Sequence, residues 1–244
     1  GLPTEQLPAD VDVVFTTPSH HCPTNATMPL QRRMELLKQA RENEFILVED
    51  DYELEMSFLN AASPALKSLD RDGRVVYIGS FSKSLFPGLR LGYLVGSEPF
   101  IREARALRAT VLRHPPGHIQ RTVAYFLSLG HYDALTNRMV QAFKQRRAVM
   151  DQAIRDNDLT IAGRNDFGGT SFWMKAPTHI DTMDLAEALR AKGVLIEPGH
   201  VFFAHAGGPQ NYYRLAYSSI PTAKIAAGVS LIAENLRELD LARQ

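Results

Sequence analysis

"GSFSKSLFPGLRLGYLVG", residues 79–96, sets one lysine, Lys83, between two serines directly after an apolar strand signal, "RVVYIGS" (74–80). Seven residues beyond it comes Arg90, just past a Pro-Gly turn. A solvated surface lysine needs no such framing. Upstream, "EFILVEDDY" (44–52) is a second strand signal, apolar and then abruptly acidic, and it ends in Glu49, Asp50, Asp51 and Tyr52. Asp50 and Lys83 are 33 residues apart, about one βαβ unit. In a doubly wound sheet, functional residues gather at the carboxyl ends of strands, so this spacing predicts a carboxylate and an amine in one crevice.

The chemistry follows from residue type. A lysine forms a Schiff base with a carbonyl cofactor, best when its amine is partly desolvated. An aspartate beneath a pyridine ring keeps the ring nitrogen protonated and makes the ring a better electron sink. A tyrosine hydroxyl can hydrogen-bond the ring's phenolic oxygen. Serine hydroxyls and the planar fork of an arginine suit a phosphate.

The Lys83 segment resembles the Schiff-base segment of fold-type I pyridoxal 5'-phosphate (PLP) enzymes, the aspartate aminotransferase superfamily. "VEDDYELEM" (48–56) with "TPSHHCPTNATMPLQRR" (17–33) is similar, more narrowly, to the aminotransferase-like domain of MocR-type regulators of the GntR family. Those fuse a winged-helix DNA-binding domain to an aminotransferase-like one. The resemblance implies that Lys83 holds PLP as an internal aldimine, with Asp50 on the pyridine nitrogen and Tyr52 on the ring hydroxyl. It implies that Ser80, Ser82 and Arg90 contact the phosphate, and that Arg214 in "YYRLAYS" grips the carboxylate of a substrate or effector. Where the superfamily carries Asn-Pro-x-Gly, this chain reads "CPTN" (22–25). Cys22 replaces an asparagine that would bond the ring hydroxyl, and His21 or His20 is the candidate substitute contact.

The expected fold is α/β: a partial large domain over residues 1–150, mostly parallel sheet with flanking helices, and a smaller C-terminal α+β domain over 151–244. By the resemblance, the chain opens on what corresponds to the family's fourth strand, the N-terminal part of the large domain is missing, and the four strands present lie side by side. Their apolar runs suit strands buried on both faces. "MPLQRRMELLKQAREN" (28–43) reads as a helix with Pro29 in its first turn and Met34, Leu37 and Ala40 on its buried face. "HPPG" (114–117) separates two later helices. "KQRR" (144–147) reads as a solvated face or a salt-bridge strip rather than a DNA site.

Composition bounds the alternatives. The 244 residues are 45% hydrophobic, ample for a core, and 27 basic residues balance 27 acidic ones. That balance argues against a chain that binds nucleic acid or membrane over its whole surface. Cys22 is the single cysteine, expected to behave as a small buried hydrophobe, and points to a reducing, cytoplasmic setting. No apolar run approaches the roughly 20 residues of a membrane span. His20, His21, His200 and His205 lack metal-ligand spacing, so no metal is expected.

The expected function is therefore a PLP-binding, effector-sensing domain of a MocR/GntR-type regulator. An amino acid or amine effector bearing a carboxylate would form an external aldimine, within a homodimer that touches DNA only through a domain absent from this chain. The competing reading is a genuine aminotransferase of the 2-aminoadipate type. A third is a cofactor-free interaction fragment that keeps the fold.

Overall fold

The computed structural model describes residues 2–8, 10–163, 167–205 and 207–241. Contacts divide the chain into two compact units, Gly1–His21 with Ala26–Arg138, and Cys22–Asn25 with Met139–Gln244. The second division falls inside one long helix, His131–Asp156, which also contains residue 150.

The first unit is built on four strands, β1 (Val13–Thr16), β2 (Ile46–Asp51), β3 (Val75–Ser80) and β4 (Gly92–Val95). They lie side by side in the order β1-β2-β3-β4, as expected. The first three are parallel, and β4 returns antiparallel to β3. Helices α1 (Leu30–Glu42) and α2 (Leu66–Leu69) supply the crossovers, and α3 (Glu98–Val111) and α4 (Gly117–Ser128) follow β4. The "HPPG" break falls between α3 and α4, where proline cannot donate to a helical hydrogen bond.

Burial corrects two expectations. Of the four strands only β3 buries consecutive residues, Val75, Val76 and Tyr77, and so both faces. In β1 and β2 one face dominates: Val14 and Leu47 join Val75, Met28, Leu36, Ala40, Phe45 and Leu66 in one core cluster, while Val13 and Phe15 are exposed. Along β2 the alternation has period two, burying Leu47, Glu49 and Asp51 and leaving Ile46, Val48 and Asp50 half-buried. The buried face of α1 is also rotated from the expected one. Arg33, Leu36 and Ala40 are inside, and Met34 is exposed.

A charged residue can lead that face because its guanidinium is satisfied. Arg33 is fully buried and donates to the carbonyls of Met28, Pro18 and Pro64 at 3.0, 2.8 and 3.0 Å. Its partner charge is Glu49, 3.9 Å away and equally buried. The Glu49 carboxylate also accepts from the Leu66 and Lys67 amides at 2.7 and 2.8 Å, fixing the start of α2.

The second unit is an antiparallel sheet ordered β5-β6-β8-β7, from β5 (Thr160–Ile161), β6 (Ser171–Lys175), β7 (Glu197–Pro198) and β8 (Tyr212–Ala216). The helix noted above, α5 (His131–Asp156), runs into this unit, and α6 (Thr182–Ala191) and α7 (Thr222–Leu241) pack against each other within it. Its core includes Phe172, Met174, Leu185, Leu189, Leu215, Ile225, Val229 and Ile232. The Asp181 side chain accepts from the Met183 amide at 2.8 Å and caps α6. Only half of the "KQRR" cluster is solvated: Lys144 and Gln145 are exposed, whereas Arg146 donates to the Ser218 carbonyl and Arg147 lies 4.7 Å from the Phe172 ring centre. Among the described residues, no helix is long and apolar enough to cross a membrane.

Candidate functional site

The register of β2 and β3 positions the site. Asp50 lies opposite Ile78 and Asp51 opposite Gly79, so the two acidic residues and Ser80 stand at the carboxyl ends of neighbouring parallel strands, at one edge of the sheet. The chain then turns tightly. Ser82 donates its amide to Ser80 Oγ at 3.2 Å, and Leu85 donates to the Phe81 carbonyl at 2.9 Å. Lys83 sits in this turn with its side chain about half exposed, while Ser84 after it is fully buried. The Lys83 Nζ lies 4.0 Å from Oε1 of the buried Glu53.

A short helical turn, Pro87–Leu89, brings the chain back, and Phe81 donates to the Leu91 carbonyl at 3.1 Å to close the loop. Arg90 ends that turn, exposed, in the left-handed conformation at φ 50°. Ser80, Ser82, Lys83 and Arg90 thus belong to one closed loop. Gly79, under this loop, leaves room for Tyr93: a Cβ there would lie 2.1 Å from the Tyr93 ring, which also contacts Phe81.

The acidic strand end splits by face, because successive side chains on a strand point to opposite sides. Asp50 lines a cleft of about 410 Å³ together with His21, Phe15, Thr16, Thr17 and Met28. Burial raises the Asp50 carboxyl and lowers the His21 imidazole from their ordinary values. Asp51 points the other way and is buried. Ser19 Oγ donates to its Oδ2 at 3.0 Å, while Oδ1 has no hydrogen-bond partner. Burial pushes Asp51 up to about 6, against the opposing pull of the Ser19 hydrogen bond. His20 is buried with neither ring nitrogen in a hydrogen bond of good geometry, and burial lowers it to about 4. Tyr52 donates its hydroxyl to the His20 carbonyl at 3.1 Å.

Sequence reasoning passed over Asp51, Glu53 and Ser19. The period-two alternation of "VEDD" was the available signal: three consecutive acids on a strand cannot share one face, and the buried ones need donors. Cys22 also departs from expectation, being exposed.

Arg214 belongs to the second unit. It stands opposite Trp173 on one neighbouring strand and Glu197 on the other. Its Nε donates to Ser171 Oγ and its Nη1 to Glu197 Oε2, each at 3.0 Å. Asn25, of the "CPTN" loop, belongs to the same unit. It adopts φ 54°, a conformation asparagine tolerates, and its side-chain amide donates to the Ser171 carbonyl.

The first unit's donor set fits a planar pyridine phosphate. It offers a carboxylate and an imidazole in one cleft, and a half-exposed amine, two serine hydroxyls and an exposed guanidinium on the loop that follows β3. A family model described as aminotransferase class I and II matches residues 4–232. The chain is 64% identical over 237 residues to the HTH-type transcriptional regulator TauR of Rhodobacter capsulatus, covering 97% of this chain and 49% of that one. It is 32% identical to aromatic-amino-acid aminotransferase 1 of Thermococcus litoralis, covering 93% and 55%. Among solved structures, the kynurenine aminotransferase of Pyrococcus horikoshii superposes with a TM-score of 0.86 at 31% identity, covering 94% and 57%. The chain therefore spans about half the length of the curated relatives it matches.

Proposed function

The chain belongs to the aminotransferase class I and II family, and from that premise we propose that it is the cofactor-holding, effector-sensing part of a MocR-type transcriptional regulator acting in the cytoplasm. The observation that carries this reading is the 64% identity to a regulator, twice the 32% found with the aminotransferase.

When bound, PLP supplies a reactive aldehyde and an electron-withdrawing ring. Lys83 would hold it through its amine, Asp50 would hold the ring nitrogen, and Tyr52 or His21 would meet the ring hydroxyl. Ser80, Ser82 and Arg90 would receive the phosphate, whose charge matches the guanidinium. Arg214 would take the acid group of an amine-bearing effector. DNA would be bound by a separate domain, with a homodimer as the working unit. An effector biases such an assembly only by its differential affinity for the two states.

Similarity to two aminotransferases supports the enzymatic alternative, in which the Lys83 amine would also act as the general base that takes the proton from the substrate's α-carbon. Against efficient turnover stands Cys22, exposed where the superfamily's asparagine would bond the ring.

The test is to add PLP to this chain and to its parent-length protein, reduce with borohydride, digest and locate the modified peptide by mass. Modification at Lys83 is expected. Modification elsewhere, or none, in both proteins overturns the cofactor reading. Rapid amino transfer to a 2-oxo acid by the parent-length protein would replace the sensor with the enzyme.

A further inference from the structure

Within the second unit, Arg214 is held from two sides that differ in kind. On one side Nε donates to Ser171 Oγ at 3.0 Å, and Ser171 is 1% exposed. Ser171 is itself fixed by Asn25, which is buried, donates to its carbonyl and comes within 3.5 Å of its Oγ. This side is dry and determined, and it sets the plane of the guanidinium.

On the other side Nη1 donates to Glu197 Oε2 at 3.0 Å, and the Glu197 side chain is 49% exposed. Glu197 is the direct cross-strand partner of Arg214 in the β7–β8 register, so both side chains leave the sheet on one face. A carboxylate prefers two parallel N–H donors of a guanidinium. With Nε committed to a buried hydroxyl, the end available to an incoming acid is the Nη1/Nη2 pair. Glu197 already occupies Nη1.

We propose that Glu197 is a specificity-determining residue: it is a built-in carboxylate that holds Arg214 until the acid group of an amine ligand displaces it. This rests on the reading of Arg214 as the residue that takes that acid group. Its consequence is a threshold. A ligand bearing no acid group gains nothing from Arg214 and leaves the Glu197 pair intact, and a ligand with an acid group must exceed the pair it breaks. The exposed side exchanges, and the buried Ser171–Asn25 side keeps the fork aimed.

The experiment uses the full chain, its Glu197→Gln variant and phenylglyoxal, which attacks free guanidinium groups, with exposed Arg105 as internal reference. Labelling at each arginine is followed by peptide mass. Because a partly exposed ion pair is weak, the Arg214 rate relative to Arg105 should rise about two- to fivefold in the variant. An unchanged ratio in both Glu197→Gln and Glu197→Ala overturns the proposal. Sodium propionate is then added as a bare acid probe. It should slow Arg214 labelling in both proteins, and at several-fold lower concentration in Glu197→Gln. Equal concentrations would overturn the competition by Glu197. If labelling rises in the variant but propionate protects neither protein, the acid-holding role of Arg214 itself falls.

Discussion

Tyr132 and Ser84 are hydrogen-bonded, Oη to Oγ, at 2.9 Å, and Ser84 is the residue directly after Lys83. The same phenol donates to the Glu55 carboxylate, so the loop after β3 and the loop after β2 are tied to one side chain of α5. Replacing Tyr132 by Phe should cost about 1–3 kcal/mol, because fully buried Ser84 and the carboxylate both lose a partner. Urea denaturation would measure this. PLP trapped at Lys83 by borohydride should fall in the same variant, since the turn is less well held.

Asp51 and His20 should oppose each other in pH dependence. Asp51 titrates at about 6 in the fold against 3.8 in the unfolded chain, so the native state holds the extra proton in that window and stability falls as pH rises through it. His20 titrates at about 4 against 6.5, so the unfolded state holds the extra proton and stability falls as pH drops. Between pH 4 and 6 the two nearly cancel. In Asp51→Asn only the histidine remains, and relative to wild type stability should decline by about 3 kcal/mol from pH 6.5 to 4. Parallel urea midpoints of the two proteins across that range would contradict the assignment.

Arg33→Met should be among the most destabilising single changes in the first unit. It abandons three carbonyls and leaves Glu49 buried at 0% exposure with no guanidinium beside it. The expected loss is about 3–5 kcal/mol, by analogy with broken buried pairs. A loss under about 1 kcal/mol would mean that the Leu66 and Lys67 amides alone satisfy Glu49.

Gly79→Ala should displace the Tyr93 ring from its contacts with Tyr77 and Phe81, at centroid distances of 6.1 and 5.5 Å. The ring end is partly exposed and can yield, so the cost should be about 1–2 kcal/mol. Thermal melts of Gly79→Ala in a Tyr93→Ala background should show most of that cost gone. An unrelieved cost would place the strain in the backbone.

The strands were legible because their β-branched runs end at abrupt changes of polarity, as in "VVYIGS" and "FILVEDDY". Lys83 stood out in the sequence for a similar reason, its small hydroxyl neighbours and Pro-Gly turn, and the structure sets it in a tight turn with its side chain about half exposed. What periodicity could not show is which face of α1 turns inward. The deciding residue, Arg33, counts as polar in any pattern, and only the three carbonyls converging on it make its burial tolerable. The Glu197–Arg214 pair was equally hidden. Seventeen residues separate the two, and only the strand register makes them neighbours. The departure "CPTN" looked like a loss of function at Cys22. Its last residue instead has a structural task, since Asn25 bonds to the Ser171 carbonyl from a left-handed turn.

Because Glu197 and Arg214 face each other across two strands, their identities can be exchanged without moving the backbone. A Glu197→Arg, Arg214→Glu double swap retains an ion pair at the same rungs but transposes its polarity. The carboxylate would then stand at the central-strand position beside Ser171, and the guanidinium at the edge. If Arg214 takes an acid group as proposed, the swapped position would suit a second amine instead, and one cross-strand pair would be a compact handle for retuning ligand preference from acids toward diamines.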